Sequence, residues 1–578
     1  MKKSYYISGY SNRVFQYKML YEIYYKFIKD NWQLYALLLL TLVSLPMQRL
    51  AMPHYYGKII DVLKSGDMPQ AKYLFGVILV IWIVIQALGI ILAHINKIIW
   101  PRMNTYVRQT FFDLIVDRYN QEYQDIKTGE IQSKLHDLPY VLDDVYNQFQ
   151  KFLFNNSIVI ISTFVYLYNF HHYLAIIYGL SIVSIVLLSL CFVNECRTNV
   201  KKIFESYDTY FEEVDDTLQN LLSIYTNKKI PDEKKRINKY GKRAENYLMK
   251  SNKCSSKYKI IYSILNIIIF IALNYTSYYL YETKVISSAV LISIFMINFS
   301  LLGDLISLYY DTKQFVDVKS QIDIISKFID DLPKMKTGQT KELGILKQVQ
   351  IEFKNINYKH PSATSKIYNN LNLTLYPNQD VIIMGHIGSG KSTFAKMLVG
   401  LTKYDSGNIY INGLDSKEII IDDIRQNMIY IPQHAVLMNR TLWENITYGL
   451  TPEEVKQVKE NDIYARLEGL GMDDLAKKFK EKMHKEVGKS GNQLSGGQKQ
   501  VVWLLRCIYK KAPMLIVDEP TNGLDPTSKE QIINLLRYLK EKKTLIIITH
   551  DKDVLVLGDR VIEFKNGSII KDEKLNST

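Results

Sequence analysis

Charged side chains are missing from five long stretches in the first half of the chain. Eighteen residues separate Asp30 from Arg49, 24 separate Lys72 from Lys97, and 43 separate Lys151 from Glu195. Two more follow, of 22 residues between Lys259 and Glu282 and 19 between Lys284 and Asp304. The hydrocarbon layer of a bilayer is crossed by about 20 apolar residues in a helix. Four of the stretches therefore predict one span each. The 43-residue stretch has room for two, with His171-His172 at its middle as a very short turn. A soluble core helix can imitate one such run, but six predicted spans before residue 310 leave a water-soluble fold untenable.

The connections set the expected orientation. Residues 97–151 and 195–259 are long, helical in period and rich in Lys and Arg, whereas the turns at 171–172 and 282–287 are short. Positive charge concentrates on the cytoplasmic side, which places the long connections and both termini there. Residues 49–72, with Arg49, Lys58, Lys64 and Lys72, fall on the opposite side and run against that bias. The long connections read as spans that continue as helices, about 25 residues out and 25 back, reaching on the order of 35 Å beyond the bilayer. Ahead of the first span, Met19, Leu20, Ile23, Tyr24, Phe27 and Ile28 recur at helical spacing with Lys18, Glu22, Lys26 and Lys29 between them. Residues 1–30 thus predict an amphipathic helix in the membrane interface, not a cleavable signal peptide.

The pattern changes after residue 310. Residues 331–348 read as a linker. From Val349, short β-rich runs, glycine turns and helices alternate as in an α/β domain. The mean hydropathy of −0.08 averages these two halves and conceals the first. A net charge of +14 is compatible with nucleic acid or with a membrane surface. No nucleic-acid or zinc module is present, so the charge is assigned to the cytoplasmic face of the membrane and no nucleic-acid partner is expected. The four cysteines, Cys191, Cys196, Cys254 and Cys507, form no CxxC pair. That argues against a disulfide scaffold or a zinc ribbon.

The chemistry sits between residues 350 and 555. A buried strand, Val381-Ile-Ile-Met384, runs into Gly385-His-Ile-Gly-Ser-Gly-Lys-Ser-Thr393, and a helix opens at once with Phe394-Ala-Lys-Met-Leu-Val. Strand, GxxxxGK[ST] loop and helix are what a phosphate-binding loop requires. Gly385, Gly388, Ser389, Gly390, Lys391, Ser392 and Thr393 are its candidate residues. Backbone N–H groups and the helix N-terminus attract phosphate, Lys391 reaches the β- and γ-phosphates, and Ser392 is a ligand for Mg²⁺. A second buried strand, Met514-Leu-Ile-Val-Asp518, is followed directly by Glu519. Asp518 suits the Mg²⁺ shell, and Glu519 suits polarisation of an attacking water.

Between these motifs stands Leu494-Ser495-Gly496-Gly497-Gln498, at the head of a helix. With it in place, nearly the whole chain resembles the ATP-binding cassette (ABC) transporters of the exporter type, whose signature is LSGGQ. The resemblance adds several expectations. Gln433, in Tyr430-Ile-Pro-Gln-His-Ala-Val-Leu, matches the Q-loop and joins Ser392 and Asp518 around Mg²⁺, directly or through water. Asn522-Gly-Leu-Asp525 matches the D-loop, and His550 matches the switch histidine that meets the γ-phosphate. His360 takes the place of the aromatic residue that stacks on adenine, with Tyr358 two residues earlier. Lys489 stands where exporters commonly carry Glu. Pro53-His-Tyr-Tyr-Gly57 and Thr128-Gly129-Glu130 resemble exporter stretches of the membrane half.

The fold class expected is therefore a polytopic α-helical membrane domain of six spans over 31–330, with long cytoplasmic helical extensions, and a C-terminal α/β P-loop NTPase domain over 349–578. ATP and Mg²⁺ are the implied cofactors. The family closes each signature, Ser495 to Gln498 here, over the ATP of a second cassette. A chain with one cassette is thus expected to pair with a second half-transporter, a homodimer before a heterodimer. The span interiors offer Tyr, Phe, Asn, Ser and Thr with almost no charge, which suits export or flipping of an apolar or amphipathic molecule. The alternative is an ATP-gated channel or regulatory membrane subunit on the same scaffold.

Overall fold

The structure is a computed structural model that describes residues 12–121, 128–151, 156–333, 339–360, 365–386 and 388–575. Of the positions singled out above, Ile387, residues 334–338 of the linker, and the side chains of Lys18, Met19, Leu20, Thr128, Glu130 and Asp304 lie outside it. The chain divides into two compact units, Met1–Arg118 with Ile126–Pro333, and Tyr119–Asp125 with Lys334–Thr578.

The first unit is helical. Its elements are α1 (Asn12–Asp30), α2 (Trp32–Ser65), α3 (Met68–Arg118), α4 (Thr128–Phe149), α5 (Ser157–Phe170), α6 (His172–Gln219), α7 (Ile230–Glu282) and α8 (Ser288–Asp331). Five of them, α2, α3, α6, α7 and α8, are long and apolar enough to cross a membrane, and α5 is a shorter apolar helix of 14 residues. The turn expected at His171-His172 is a single residue. His171 caps α6 by accepting from the Tyr173 N–H through Nδ1 at 3.3 Å. In α1, Ile23 and Phe27 are buried while Tyr21 and Tyr25 are exposed, and the Phe27 ring packs 5.5 Å from Tyr106 of α3.

The helices outrun any bilayer. The 53 residues of α7 make a rod of about 80 Å, against a hydrocarbon layer of about 30 Å. Beyond the apolar part, ion pairs take over from hydrophobic contact. Glu195 of α6 accepts from Lys257 Nζ at 2.9 Å and from the Tyr258 hydroxyl at 2.6 Å, and Glu213 pairs with Arg236. Numbers rise along α6 as they fall along α7, so the two run antiparallel in one register. Cys196 and Cys254 meet in that register as a disulfide with Cα atoms 5.9 Å apart. Cysteine spacing argued against a disulfide scaffold. A single bridge between residues 58 apart has no local signature, and the helix pairing alone creates it.

The helix of the first uncharged stretch runs on past Arg49: α2 passes it near the middle of its 34 residues, with a wider π turn over Met47–Ala51. Its contacts to α8 are antiparallel. Asp61 accepts from the Ser288 hydroxyl and the Ala289 N–H at the start of α8. Gly57 lies against Ala289 and Ser293. Arg49 Nη1 donates to Ser300 Oγ at 2.8 Å.

The second unit holds two sheets. The strands are β1 (Ile351–Tyr358), β2 (Tyr368–Leu375), β3 (Val381–Gly385), β4 (Ser406–Ile411), β5 (Leu414–Asp415), β6 (Met428–Ile431), β7 (Met514–Asp518), β8 (Thr544–Ile548), β9 (Arg560–Lys565) and β10 (Ser568–Lys574). An antiparallel sheet has the order β2-β1-β4-β5, and a six-stranded sheet the order β10-β9-β3-β8-β7-β6. In the second, β3, β8, β7 and β6 are parallel. Every residue of β7 is buried, as expected of a parallel strand covered on both faces. Among the helices of this unit are α9 (Lys391–Leu398), α10 (Gly496–Tyr509) and α11 (Pro526–Lys540).

The α2–α8 contact can be tested with alanine. A Cβ on Gly57 would overlap the Ala289 carbonyl and Ser293 Oγ, whereas one on Gly76 of α3 meets nothing within 4 Å. Small residues let membrane helices approach closely, and overpacking costs about 1–3 kcal/mol. Gly57→Ala is expected to lower the apparent Tm of detergent-solubilised protein by several degrees, and Gly76→Ala to leave it unchanged. Equal effects would show that Gly57 is not a packing position.

Candidate functional site: a nucleotide-binding sheet edge

Parallel strands bring their carboxyl ends to one edge, where ligands of open α/β sheets bind. Here Ile383 of β3 pairs with Ile548 of β8, and Ile548 pairs with Asp518 of β7. At strand spacings of about 4.8 Å, the phosphate loop after β3 and the carboxylates at the end of β7 stand on the order of 10 Å apart, with His550 two residues beyond the strand between them. Gln433 follows β6 at the same edge. Four motifs scattered over more than a hundred residues are thus gathered by sheet order alone.

The loop is built around a lysine. Lys391 is buried and its Nζ donates to the carbonyls of Gly385 at 2.6 Å and His386 at 3.1 Å, curling the loop about the ammonium. Gly390 caps α9 at φ 103°, a left-handed conformation that a side chain would strain. Its carbonyl accepts from the Tyr368 hydroxyl at 2.5 Å. Thr393 lies in the first turn of α9. Ser389 is 4% exposed, and its Oγ has no hydrogen-bond partner.

At the end of β7, Asp518 is 1% exposed. Its Oδ2 accepts from the Tyr430 hydroxyl at 3.2 Å, while Oδ1 is unpartnered. Burial pushes the Asp518 carboxyl up, opposed by the hydroxyls of Ser392 and Tyr430. A nearby cation would reverse that shift. Glu519 adopts φ +50°, a strained conformation for a residue with a side chain, and such strain gathers at functional sites. His550 Nδ1 lies 2.8 Å from Glu519 Oε2. Oε2 makes no hydrogen bond, so the two groups are held close without one. His550 is largely exposed and Glu519 buried.

Three buried oxygens without partners, on Ser389, Asp518 and Glu519, suit a polar ligand. The hydroxyl of Ser392 and the carboxylate of Asp518 are hard oxygen donors of the kind Mg²⁺ takes, with phosphate and water filling its octahedron. Among the described residues no group of three or more His, Cys, Asp or Glu could hold a metal alone.

The signature forms a second cluster. Ser495 caps α10 in a reciprocal box: its Oγ accepts from Gln498 N–H at 3.3 Å, and Gln498 Oε1 accepts from Ser495 N–H at 3.1 Å. Gly497 approaches Ser528 closely enough that a Cβ would sit 3.2 Å from it. Asp525 caps α11 by accepting from Ser528 N–H at 3.0 Å. Ser495, Gly497, Gln498 and Asp525 line one recess of about 160 Å³, which includes no residue of the phosphate loop. Gly496 opens α10 beside it. Gln433 is held to α10 through its carbonyl, which accepts from Gln500 Nε2 at 3.4 Å.

His360 is exposed just after β1, whereas Tyr358 is buried in the core. Of the two, only His360 is placed to meet a ligand. Sequence reading missed Tyr368 and Tyr430, which brace the loop and Asp518. It also missed Asp551, which accepts from Thr521 Oγ1 at 2.8 Å and from Lys529 Nζ at 2.9 Å and so ties the segment after His550 to α11. These are long-range contacts with no motif. Lys489 falls in a short 3-10 turn ahead of the signature.

Comparison with known proteins agrees with this geometry. The family model described as ABC transporter matches residues 368–522, and that described as ABC transporter transmembrane region matches residues 35–305. An export ATP-binding/permease protein of Rickettsia felis is 24% identical over 571 residues, covering 96% of this chain and 95% of that protein. An ATP-dependent lipid A-core flippase of Methylobacillus flagellatus is 29% identical over 247 residues, 43% of this chain and 41% of the flippase. A solved bacterial Atm1-family ABC exporter with ATP bound superposes with a TM-score of 0.77 at 19% identity, covering 95% of both chains. The chain is an integral, multi-pass membrane protein with an ATPase unit coupled to transport, and it belongs to the ABC transporters, with the transmembrane region and the ATP-binding cassette of that family joined in one polypeptide.

Proposed function

We propose that two copies of this chain form an exporter that binds ATP between their cassettes and spends its hydrolysis on moving an amphipathic molecule out of the cytoplasm. The observation that carries this reading is the separation of the two clusters. Ser495 and Asp525 share a recess that the phosphate loop does not enter. A signature whose recess leaves out its own loop is suited to serve a second one, head to tail. The residues 349–578 form the ATPase domain, and both termini lie on the ATP side.

In that dimer the N–H groups of Gly385, Gly388, Ser389 and Gly390 cradle the phosphates with Lys391, while His360 stacks on the base. Ser392, Asp518 and Gln433 hold Mg²⁺, which when bound neutralises charge on the phosphates. Glu519 orients and deprotonates the attacking water, and His550 steadies the γ-phosphate. Ser495, Gly496, Gly497 and Gln498 of the second copy close the site, with Asp525 at its margin. The relatives are named for export and for lipid A-core flipping, which supports outward movement of an amphiphile.

Glu519→Gln is expected to bind ATP as the parent does and to hydrolyse it at least ~100-fold more slowly, since a positioned base contributes about 10²–10⁴. Near-parental turnover would remove Glu519 from that role. ATP-gated current through planar bilayers that persists in Glu519→Gln would make the protein a channel.

The shared site is tested by mixing inactive chains. Lys391→Ala removes a charge-assisted contact to the triphosphate, and Ser495→Arg blocks closure over the partner's nucleotide. In a mixed dimer one composite site carries both defects and the other carries none. Partial ATPase activity in the mixture, with neither mutant active alone, is the expected result. A monomer with full activity would exclude the shared arrangement.

A further inference from the structure

Glu519 and His550 stand 2.8 Å apart with no hydrogen bond at Glu519 Oε2, so their approach is fixed from elsewhere. The sheet holds only the strand ends. Asp518 of β7 pairs with Ile548 of β8, and the Glu519 N–H donates to the Ile548 carbonyl at 2.8 Å. Beyond that point the chain leaves the ladder on both sides, toward α11 from β7 and toward a 3-10 turn over Lys552–Leu557 from β8. Side-chain contacts must set the two loops against each other.

Asp551 supplies them. It follows His550 directly, and Thr521 follows Glu519 by two residues. Asp551 Oδ2 accepts from Thr521 Oγ1 at 2.8 Å, which ties one loop to the other. Lys529 Nζ lies 2.9 Å from Oδ1 and 2.8 Å from Oδ2, and it also donates to Asp553. Oδ1 accepts from the Asp553 N–H at 3.1 Å, and the Asp551 N–H donates to Thr549 Oγ1 at 3.0 Å. A residue that only capped the 3-10 turn would need one of these oxygens; here the second reaches across to the Glu519 loop. Burial opposes the charge, but the bonds from Lys529, the Asp553 N–H and Thr521 hold the Asp551 carboxyl below the usual carboxylate range. The Lys529 contact is therefore charge-assisted, the stronger kind of hydrogen bond.

Lys529 fastens this tie to a helix. It stands in the first turns of α11, where its N–H donates to the carbonyl of the cap residue Asp525 at 2.9 Å. Groups positioned from a helix are held more precisely than groups positioned from loops alone.

We propose that Asp551, clasped by Lys529 and bonded to Thr521, is a positioning residue for ATP hydrolysis that sets His550 against Glu519. This rests on the roles given above to Glu519 and His550 and adds the groups that hold them in place.

The test is steady-state ATPase activity of the full chain over a range of ATP concentrations. Asp551→Asn is nearly isosteric and removes the charge. It should lower kcat at least ~tenfold and move KM for ATP less than about threefold, since a displacement of about 1 Å can cost about 10²-fold. Lys529→Met keeps the apolar stem, loses the ammonium, and should lower kcat at least about threefold at an unchanged KM. In a His550→Ala background, Asp551→Asn should change kcat less than about twofold, because a residue that acts through His550 has nothing left to position. A raised KM at parental kcat, losses that multiply in the double variant, or parental kinetics in Lys529→Met would each overturn the positioning role. If Asp551→Asn fails to fold, Lys529→Met alone and in the His550→Ala background decides. Parental kcat in His550→Ala itself would end the reading of the site, and the proposal with it, whereas a slow His550→Ala beside a parental Asp551→Asn would overturn the positioning role alone.

Discussion

Hydrocarbon offers a buried polar group no replacement for water, and the membrane unit is arranged around that constraint. Backbone groups are satisfied inside unbroken helices. Charged side chains gather where the helices leave the apolar layer, as in Glu195 with Lys257 and Lys134 with Asp208 at 2.8 Å. Inside the layer, contact passes to small residues such as Gly57 and to hydroxyls that return to their own backbone, as Ser293 does to Ala289 at 2.7 Å.

In the cassette the governing factor is strand order. Nothing in the local sequence near Asp518 places it beside Lys391; the order β3-β8-β7 does. Once the strands are parallel and in register, the loop, the two carboxylates and His550 share an edge. The signature helix α10 is held to the segment after β6 through Gln500 and through Trp503, whose indole donates to the Val436 carbonyl at 3.2 Å.

The phosphate loop, the Asp518-Glu519 pair and the signature were legible because each is contiguous and each chemistry demands its own spacing. The spans and the His171 turn were legible because absence of charge over about 20 residues has few other causes. The limits lie where contacts are distant in sequence. Tyr430 meets Asp518 across 88 residues, and Cys196 meets Cys254 across 58; neither pair has a local pattern.

The pairing of α6 with α7 has a mechanical consequence. Each is a rod of about 70–80 Å, and a rod that tilts by ten degrees about one end moves its far end by about 12 Å. A single helix of that length would flex and lose part of the stroke. Two rods fastened side by side by the Cys196–Cys254 bridge and by the Glu195 and Glu213 ion pairs cannot slide past one another, and a beam whose layers cannot slide is far stiffer than the sum of its layers. Reducing the bridge would soften this beam without breaking it, because the charges still resist shear.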